Sequence, residues 1–339
     1  MTRNLTRLLL LLQLGVALLG GAGLGKLVPA LPTWLQAMAG LALVLLVRAL
    51  NVANNFRLAA RHVSTPPAAT LGWRRYLGMI WKELWASLFS ASWYMPFGRL
   101  SAGPVDFGNP LPVLLIHGYG CNSGYWRPLS RVLRAERISF YAPDLEPLLG
   151  DIDAYVPQLG AALDLLCQAT GRSRVVLIGH SMGGLAAAAW LRAHGDARIA
   201  KLITIGTPHH GTALAHFAPG VNSRQMRRSA GVGSTGCSTW LQALQPVLRA
   251  GSVPLVSLYS THDNIVAPAT SAHVVGAKNI AFDDIGHVRL ASAPEVIAVV
   301  LAELRASEAM PTGPVQTGRA SVSMPVTQAP TSTQEKPSC

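Results

Sequence analysis

Three hydrophobic patterns follow one another along the chain. The first is continuous. Leu8–Gly25 is an 18-residue apolar stretch broken only by Gln13, and Leu27–Val47 is a second, of 21 residues without a charge. Each approaches the roughly 20 residues a helix needs to cross the hydrocarbon of a bilayer. Lys26, Pro29 and Pro32 mark a short turn between them. The pattern predicts a transmembrane helical hairpin over 1–50, because in lipid a helix satisfies its own backbone groups. A cleaved signal peptide is the alternative for the first stretch: Arg3 and Arg7 precede its apolar run, but Gly20–Gly23 gives no clear small-x-small cleavage site.

The second pattern has helical period. Trp73, Leu77, Ile80, Trp81, Leu84 and Leu88 recur at that spacing, with Arg75 and Lys82 on the other side. Such a helix either lies at a bilayer interface or packs its aromatic face against the domain that follows. Pro66-Pro67 ahead of it reads as a linker, so 51–110 is expected to connect the hairpin to the rest.

From residue 111 the pattern changes again, to short apolar runs: 113–116, 138–142, 175–178, 202–205, 255–259 and 280–282. Such runs suit strands buried on both faces of a parallel sheet. Helical stretches are expected at 127–135, 153–169, 182–194 and 294–306, which makes 111–306 an α/β sheet. Open sheets of this kind place their sites at the carboxyl ends of the strands. The last segment, 307–339, is rich in Pro, Ser, Thr and Gln and is expected to be a disordered tail.

Charge sharpens this picture. The 339 residues carry a net charge of +12, and residues 1–110 hold ten Lys/Arg against two Asp/Glu. The excess sits beside the most apolar segments, as expected of cations flanking a membrane rather than of a nucleic-acid surface. Arg3 and Arg7 before the hairpin, and Arg48, Arg57 and Arg61 after it, put both its ends in the cytoplasm by the positive-inside rule. The four cysteines, Cys121, Cys167, Cys237 and Cys339, have no C-x-x-C spacing. A zinc ribbon or disulfide scaffold is not expected, nor any metal or cofactor site.

The candidate chemistry sits at the ends of the apolar runs. Gly179-His180-Ser181-Met182-Gly183 separates the third run from a helical stretch, the setting in which a sharp turn exposes a serine hydroxyl. His117-Gly118-Tyr119-Gly120 follows the first run, and the backbone amides of Tyr119 and Met182 are the candidate oxyanion donors. His117, Gly118, Gly179, His180 and Gly183 would support these two loops. Of ten histidines, His287 is the candidate general base, because it follows the last run on a loop ahead of the final helix. The orienting carboxylate should lie between serine and histidine, and Asp263 at the end of the fifth run fits; Asp283 and Asp284 are its rivals. His209 and His210 are expected to shape the pocket or cap a loop. Residues 213–250 form either a lid or a long connection.

These motifs, with Ile205-Gly206-Thr207-Pro208-His209-His210-Gly211-Thr212, resemble the α/β-hydrolase family, and within it bacterial triacylglycerol lipases and esterases. The resemblance covers roughly 111–306. It implies an α/β-hydrolase fold behind the hairpin, a triad of Ser181, Asp263 and His287, and cleavage of lipid-like carboxylic esters without a cofactor. The hairpin and the tail lie outside the resemblance and depart from secreted lipases; two spans would hold the enzyme at the inner membrane with its catalytic region facing the cytoplasm, and that orientation reverses if only one segment spans. A phospholipase, an acyl-thioesterase, a lipid deacylase or a non-catalytic hydrolase-fold scaffold remain alternatives.

Overall fold

The computed structural model describes residues 2–62, 70–108, 111–228, 236–249, 251 and 253–308. The Pro66-Pro67 linker, the tail beyond 308 and Cys339 lie outside them. Helix α1 (Thr2–Leu27) and helix α2 (Thr33–Ala59) pack along each other as a hairpin. Both are long and apolar enough to cross a membrane. Small residues, Ala17 and Gly21 on α1 and Gly40 on α2, are buried at the crossing, while leucines along both helices stay exposed. The turn is 28–32, so Lys26 belongs to α1.

Helix α2 runs past the expected end of the hairpin. Residues 51–59 are polar enough to look like a linker, yet Val52, Phe56 and Ala59 recur at helical spacing and are buried. Val52 and Phe56 cluster with Met79 and Leu84 of α3 (Trp73–Phe89). Helix α3 continues through a π-turn at Ser90–Tyr94 to Phe97. Its buried residues are Met79, Glu83 and Leu84, whereas Trp73, Trp81 and Trp93 are 65, 57 and 63% exposed. The aromatic stripe therefore faces outward, not onto the following domain.

The sheet is built of β1 (Val113–Ile116), β2 (Phe140–Tyr141), β3 (Val175–His180), β4 (Ile199–Ile205), β5 (Leu255–Ser260) and β6 (Lys278–Phe282). All pairings are parallel, in the order β2-β1-β3-β4-β5-β6. Alternate residues of each strand feed two cores, as the period of a strand requires. Leu114, Ile116 and Leu177 join the core under α5 (Val156–Thr170), α6 (Met182–His194) and α8 (Thr239–Arg249). Val113, Leu115, Val176 and Ile178 join the core under α4 (Arg127–Ala135) and α9 (Pro294–Glu308). Between β4 and β5 the chain forms a 3-10 turn (Ala213–Phe217), the short helix α7 (Val221–Gln225) and α8. Cys121 and Cys237 pack against different cores, and Cys121, Cys167 and Cys237 are free thiols.

The hairpin, α3 and the sheet fall in one compact unit. The start of α1 is tied to the loop after β2, where the Thr2 amide donates to Glu146 Oε1 (2.8 Å), and to the continuation of α3, where the Arg7 guanidinium donates to the Pro96 carbonyl (3.0 Å). The far end of α2 packs there as well, where Leu58 and Ala59 meet Leu214, Ile265 and Ala267.

Candidate active site

Three strand ends and one loop build the site. Strand β3 ends at His180, and Ser181 follows at φ 54°, ψ −126°, a left-handed conformation rare for a residue with a Cβ. Holding it there costs on the order of 1–3 kcal/mol, so the surroundings must over-determine it. They do. The Ser181 amide donates to the Ile205 carbonyl (2.9 Å), and its own carbonyl accepts from the Gly184 amide (3.1 Å) and the Thr207 hydroxyl (3.0 Å). Gly183 lies so close to the Ile116 and His117 carbonyls that a Cβ would collide with them. The turn thus locks β3, β4 and the β1 loop together around one hydroxyl.

The β1 loop lies alongside. A Cβ on Gly118 would sit 2.9 Å from that of Ser181. His117 is buried and acts as a bracket: its Nδ1 donates to the Gly118 carbonyl (3.1 Å) and its Nε2 accepts from the Leu145 amide (3.0 Å). Burial lowers its pKa, in keeping with a neutral ring. Met182 is the first residue of α6, so its amide is among the helix's unpaired donors, at the positive end of the helix dipole. The Tyr119 hydroxyl donates to the Pro219 carbonyl (2.8 Å) and closes the other side.

His287 follows β6 on a loop. Its Nδ1 lies 2.8 Å from Asp263 Oδ2, and both residues are buried. The other Asp263 oxygen accepts from the Ile265 and Val266 amides, both at 2.8 Å. Asp263 is therefore fixed by its own loop, and the pairing leaves Nε2 as the second ring nitrogen of His287. Burial alone would lower the His287 pKa, but the charge and hydrogen bond of Asp263, with the charge of Glu83, raise it. The rivals stand elsewhere: Asp283 lies 3.8 Å from His262, and Asp284 lies 3.5 Å from Lys82. His180 is a neighbour of the site, with its ring 4.7 Å from that of His287. Its Nε2 lies 3.0 Å from the Tyr125 hydroxyl and donates to the His287 carbonyl (3.2 Å). Burial and the nearby His287 charge push its pKa well down. His209 is buried against Thr204 (3.1 Å), and burial drives its pKa down to about 3.

Ser181 and His287 line one cavity of about 210 Å³, together with Gly118, Tyr119 and Ile265. A second, of about 230 Å³, adjoins it at Ser181 and Tyr119. Its walls are mostly apolar: Leu214, Ala215, Phe217 and Met226 from the β4–β5 segment, Ile265, and Leu58 with Asn55 from α2. Part of the 213–250 segment thus walls the cavity, while its α8 packs into the core through Leu241, Leu244 and Leu248.

Three residues outside the sequence-derived set hold the histidine loop. Asn264 Oδ1 accepts from the His287 amide (2.8 Å). The Tyr125 hydroxyl donates to the Val288 carbonyl (2.9 Å). Glu83, from α3, accepts from the Val288 amide through Oε1 (2.8 Å) and from the Arg289 amide through Oε2 (3.0 Å). The available signal for Glu83 was its isolation, as one of only two acidic residues in the first 110.

A strand-turn-helix carrying the serine, with the acid and histidine at later strand ends of a parallel sheet, decides the fold. The chain has the α/β-hydrolase fold. Residues 112–231 match the family model described as alpha/beta hydrolase fold. That stretch contains Tyr119 and Ser181 but ends before Asp263 and His287. Two curated triacylglycerol lipases are similar over 118 residues at 32% identity, 32% of this chain. For the one from Pseudarthrobacter phenanthrenivorans this is 37% of its length, and for the one from Burkholderia plantarii 33%. The match therefore spans about a third of the relatives' length. Among solved structures, Bacillus licheniformis lipase BlEst2 in mature form is similar with a TM-score of 0.48 at 20% identity, over 59% of this chain and 93% of that one. An esterase from Exiguobacterium antarcticum is similar with a TM-score of 0.44 at 18% identity, over 60% and 94%. No group of metal-ligating side chains occurs among the described residues.

Proposed function

We propose that the chain is a membrane-anchored serine hydrolase that cleaves carboxylic esters of lipid-like substrates. The observation that carries this reading is the pairing of His287 Nδ1 with Asp263 at 2.8 Å, with His287 lining one cavity together with the strained Ser181. Ser181 Oγ attacks the ester carbonyl while His287 Nε2 takes the hydroxyl proton. The carbonyl oxygen becomes an oxyanion held by the Tyr119 and Met182 amides. When the tetrahedral centre collapses, the imidazolium gives its proton to the departing alkoxide and an acyl-serine remains. Water then attacks, assisted by His287, and releases the acid. Asp263 keeps the proton on Nδ1 and stabilises the imidazolium.

A lipid-like acyl group is supported by the apolar cavity beside Ser181, one wall of which is α2. The anchor is supported by the length and exposed leucines of α1 and α2, and by the outward tryptophans of α3, residues suited to the interfacial zone. That both ends of the hairpin meet the hydrolase fold supports a topology with the hydrolase region at the Arg-flanked end, which the positive-inside rule assigns to the cytoplasm. Phospholipid and thioester substrates suit the same residues, and a panel of acyl esters, phospholipids and acyl-thioesters separates them.

The test is hydrolysis of p-nitrophenyl butyrate and labelling by a fluorophosphonate probe. Ser181→Ala is expected to lose roughly 10⁵-fold or more in kcat and all labelling. Turnover retained in that variant refutes the assignment, and a folded wild-type protein that neither turns over nor labels favours a scaffold.

A further inference from the structure

Glu83 is the buried charge that the proposed chemistry leaves unused. It is 1% exposed, on a helix whose opposite side carries exposed tryptophans. Among the described residues no cation pairs with it. A carboxylate is expensive to bury, and its compensation here consists of two backbone amides, Val288 and Arg289, directly after His287 in the chain. One amide binds each oxygen. The loop is also shaped to admit it: a Cβ on Gly286 would lie 2.5 Å from the Glu83 carboxyl carbon. The residues on both sides of His287 therefore close around one carboxylate delivered from about 200 positions earlier.

We propose that Glu83 is a positioning residue for His287: its carboxylate fixes the two amides after the imidazole and makes α3 part of the active site. The proposal rests on the hydrolase reading for its effect on turnover, but not for its effect on the imidazole. The charged and titratable groups around His287 are Asp263 from the β5 end, bonded to its ring, His180 from the β3 end, with its ring 4.7 Å away, and Glu83 from α3, bonded to the two amides that follow it. Tyr125, which contacts His180, stays neutral because burial raises its pKa well above the ordinary value. Burial raises the Glu83 pKa, and the Val288 and Arg289 amides and the His287 charge oppose that rise; in its ionised form Glu83 is the second negative charge, after Asp263, that favours the imidazolium. Glutamine in its place keeps one acceptor, sets an NH2 against a backbone amide and removes the charge. Alanine leaves both amides unpaired in a buried site.

The full-length protein in detergent micelles supplies the test. The readouts are the titration of the His287 imidazole by nitrogen-15 NMR, its signal being the one lost in His287→Gln, and p-nitrophenyl butyrate kinetics. Glu83→Gln is expected to lower the His287 pKa by about half a unit. Its kcat is expected to fall about 10- to 100-fold, with KM changed less than about twofold, because the acyl cavity is untouched. Glu83→Ala is expected to lose more. A folded Glu83→Gln protein whose His287 titration and kcat both match wild type overturns the proposal. Should the Glu83 variants fail to fold, Gly286→Ala tests the same contact from the loop side. It is expected to lower kcat about tenfold, and an unchanged kcat overturns the proposal. A wild-type protein that hydrolyses no ester sinks the hydrolase reading, while the titration still decides the role of Glu83.

Discussion

The loop bearing His287 is held from two sides of different character. On the sheet side, Asp263 and Asn264 follow β5 and His180 ends β3; these groups are set by strand ends a few ångströms apart. On the other side a single carboxylate, Glu83, reaches in from an amphipathic helix whose outer face is aromatic. The sheet side has the arrangement that the α/β-hydrolase fold provides. The helix side is supplied by the segment ahead of the sheet, where two span-length helices precede the aromatic helix. The segment 51–110, which reads as a linker in the sequence, supplies in three dimensions a wall of the cavity through Asn55 and Leu58 and a clamp on the histidine loop through Glu83.

The comparison is broken most severely from the sheet side. Asp263→Asn keeps the shape but lets the imidazole adopt the wrong tautomer, and kcat is expected to fall about 10⁴-fold. The loss expected for Glu83→Gln is about 100- to 1000-fold smaller, because Glu83 bonds the backbone of the loop and reaches the ring only through its charge, whereas Asp263 bonds the ring itself. Kinetics of both variants on one soluble ester rank the two sides. Equal losses would mean that the loop acts as one rigid body, with no division of labour.

Acidity gives a milder test. The proposed base must be neutral, and its pKa lies above the ordinary 6.5. The kcat/KM is expected to fall about tenfold per unit as pH drops below that raised pKa. Stability carries the opposite sign. A histidine whose folded pKa is raised contributes stability that is fully present below the unfolded pKa and lost as pH rises through the folded one. Chemical denaturation between pH 6 and 8, read beside the kinetics, is therefore expected to show His287 favouring the fold where it suppresses turnover. An acid limb lying below 6.5 would contradict the paired geometry.

What could be read in the sequence was local. The turn at Ser181 is announced by the residues on either side of it, and β3 and α6 follow within a few positions. The β4–β5 segment was less legible. Leu241, Leu244 and Leu248 carry the period of α8, but Pro246 sits inside the helix and glycines precede it. The reach of α2 to Ala59 was masked by Asn51, Asn54 and Asn55, whose polarity hides the buried Val52 and Phe56. Glu83 was hidden for another reason. Its partners lie more than 200 positions away and are backbone amides, which carry no residue identity.

The smallest expected effect concerns the wall, and it bears directly on what the helices are for. Leu58 lies near the end of α2, half-buried against Leu214 and Ile265, and with Asn55 it lines the cavity beside Ser181. Replacing it by tryptophan fills part of the roughly 230 Å³ cavity with an indole and leaves Ser181, Asp263 and His287 untouched. A short acyl group does not need that space and a long one does. Leu58→Trp is therefore expected to leave p-nitrophenyl acetate turnover within about twofold while lowering kcat/KM for the palmitate ester about tenfold, in line with the few kcal/mol a hydrophobic pocket can discriminate. The ratio of the two esters, measured on one preparation, cancels any difference in the amount of folded enzyme. A ratio that does not move would place the acyl chain elsewhere and leave α2 as an anchor only.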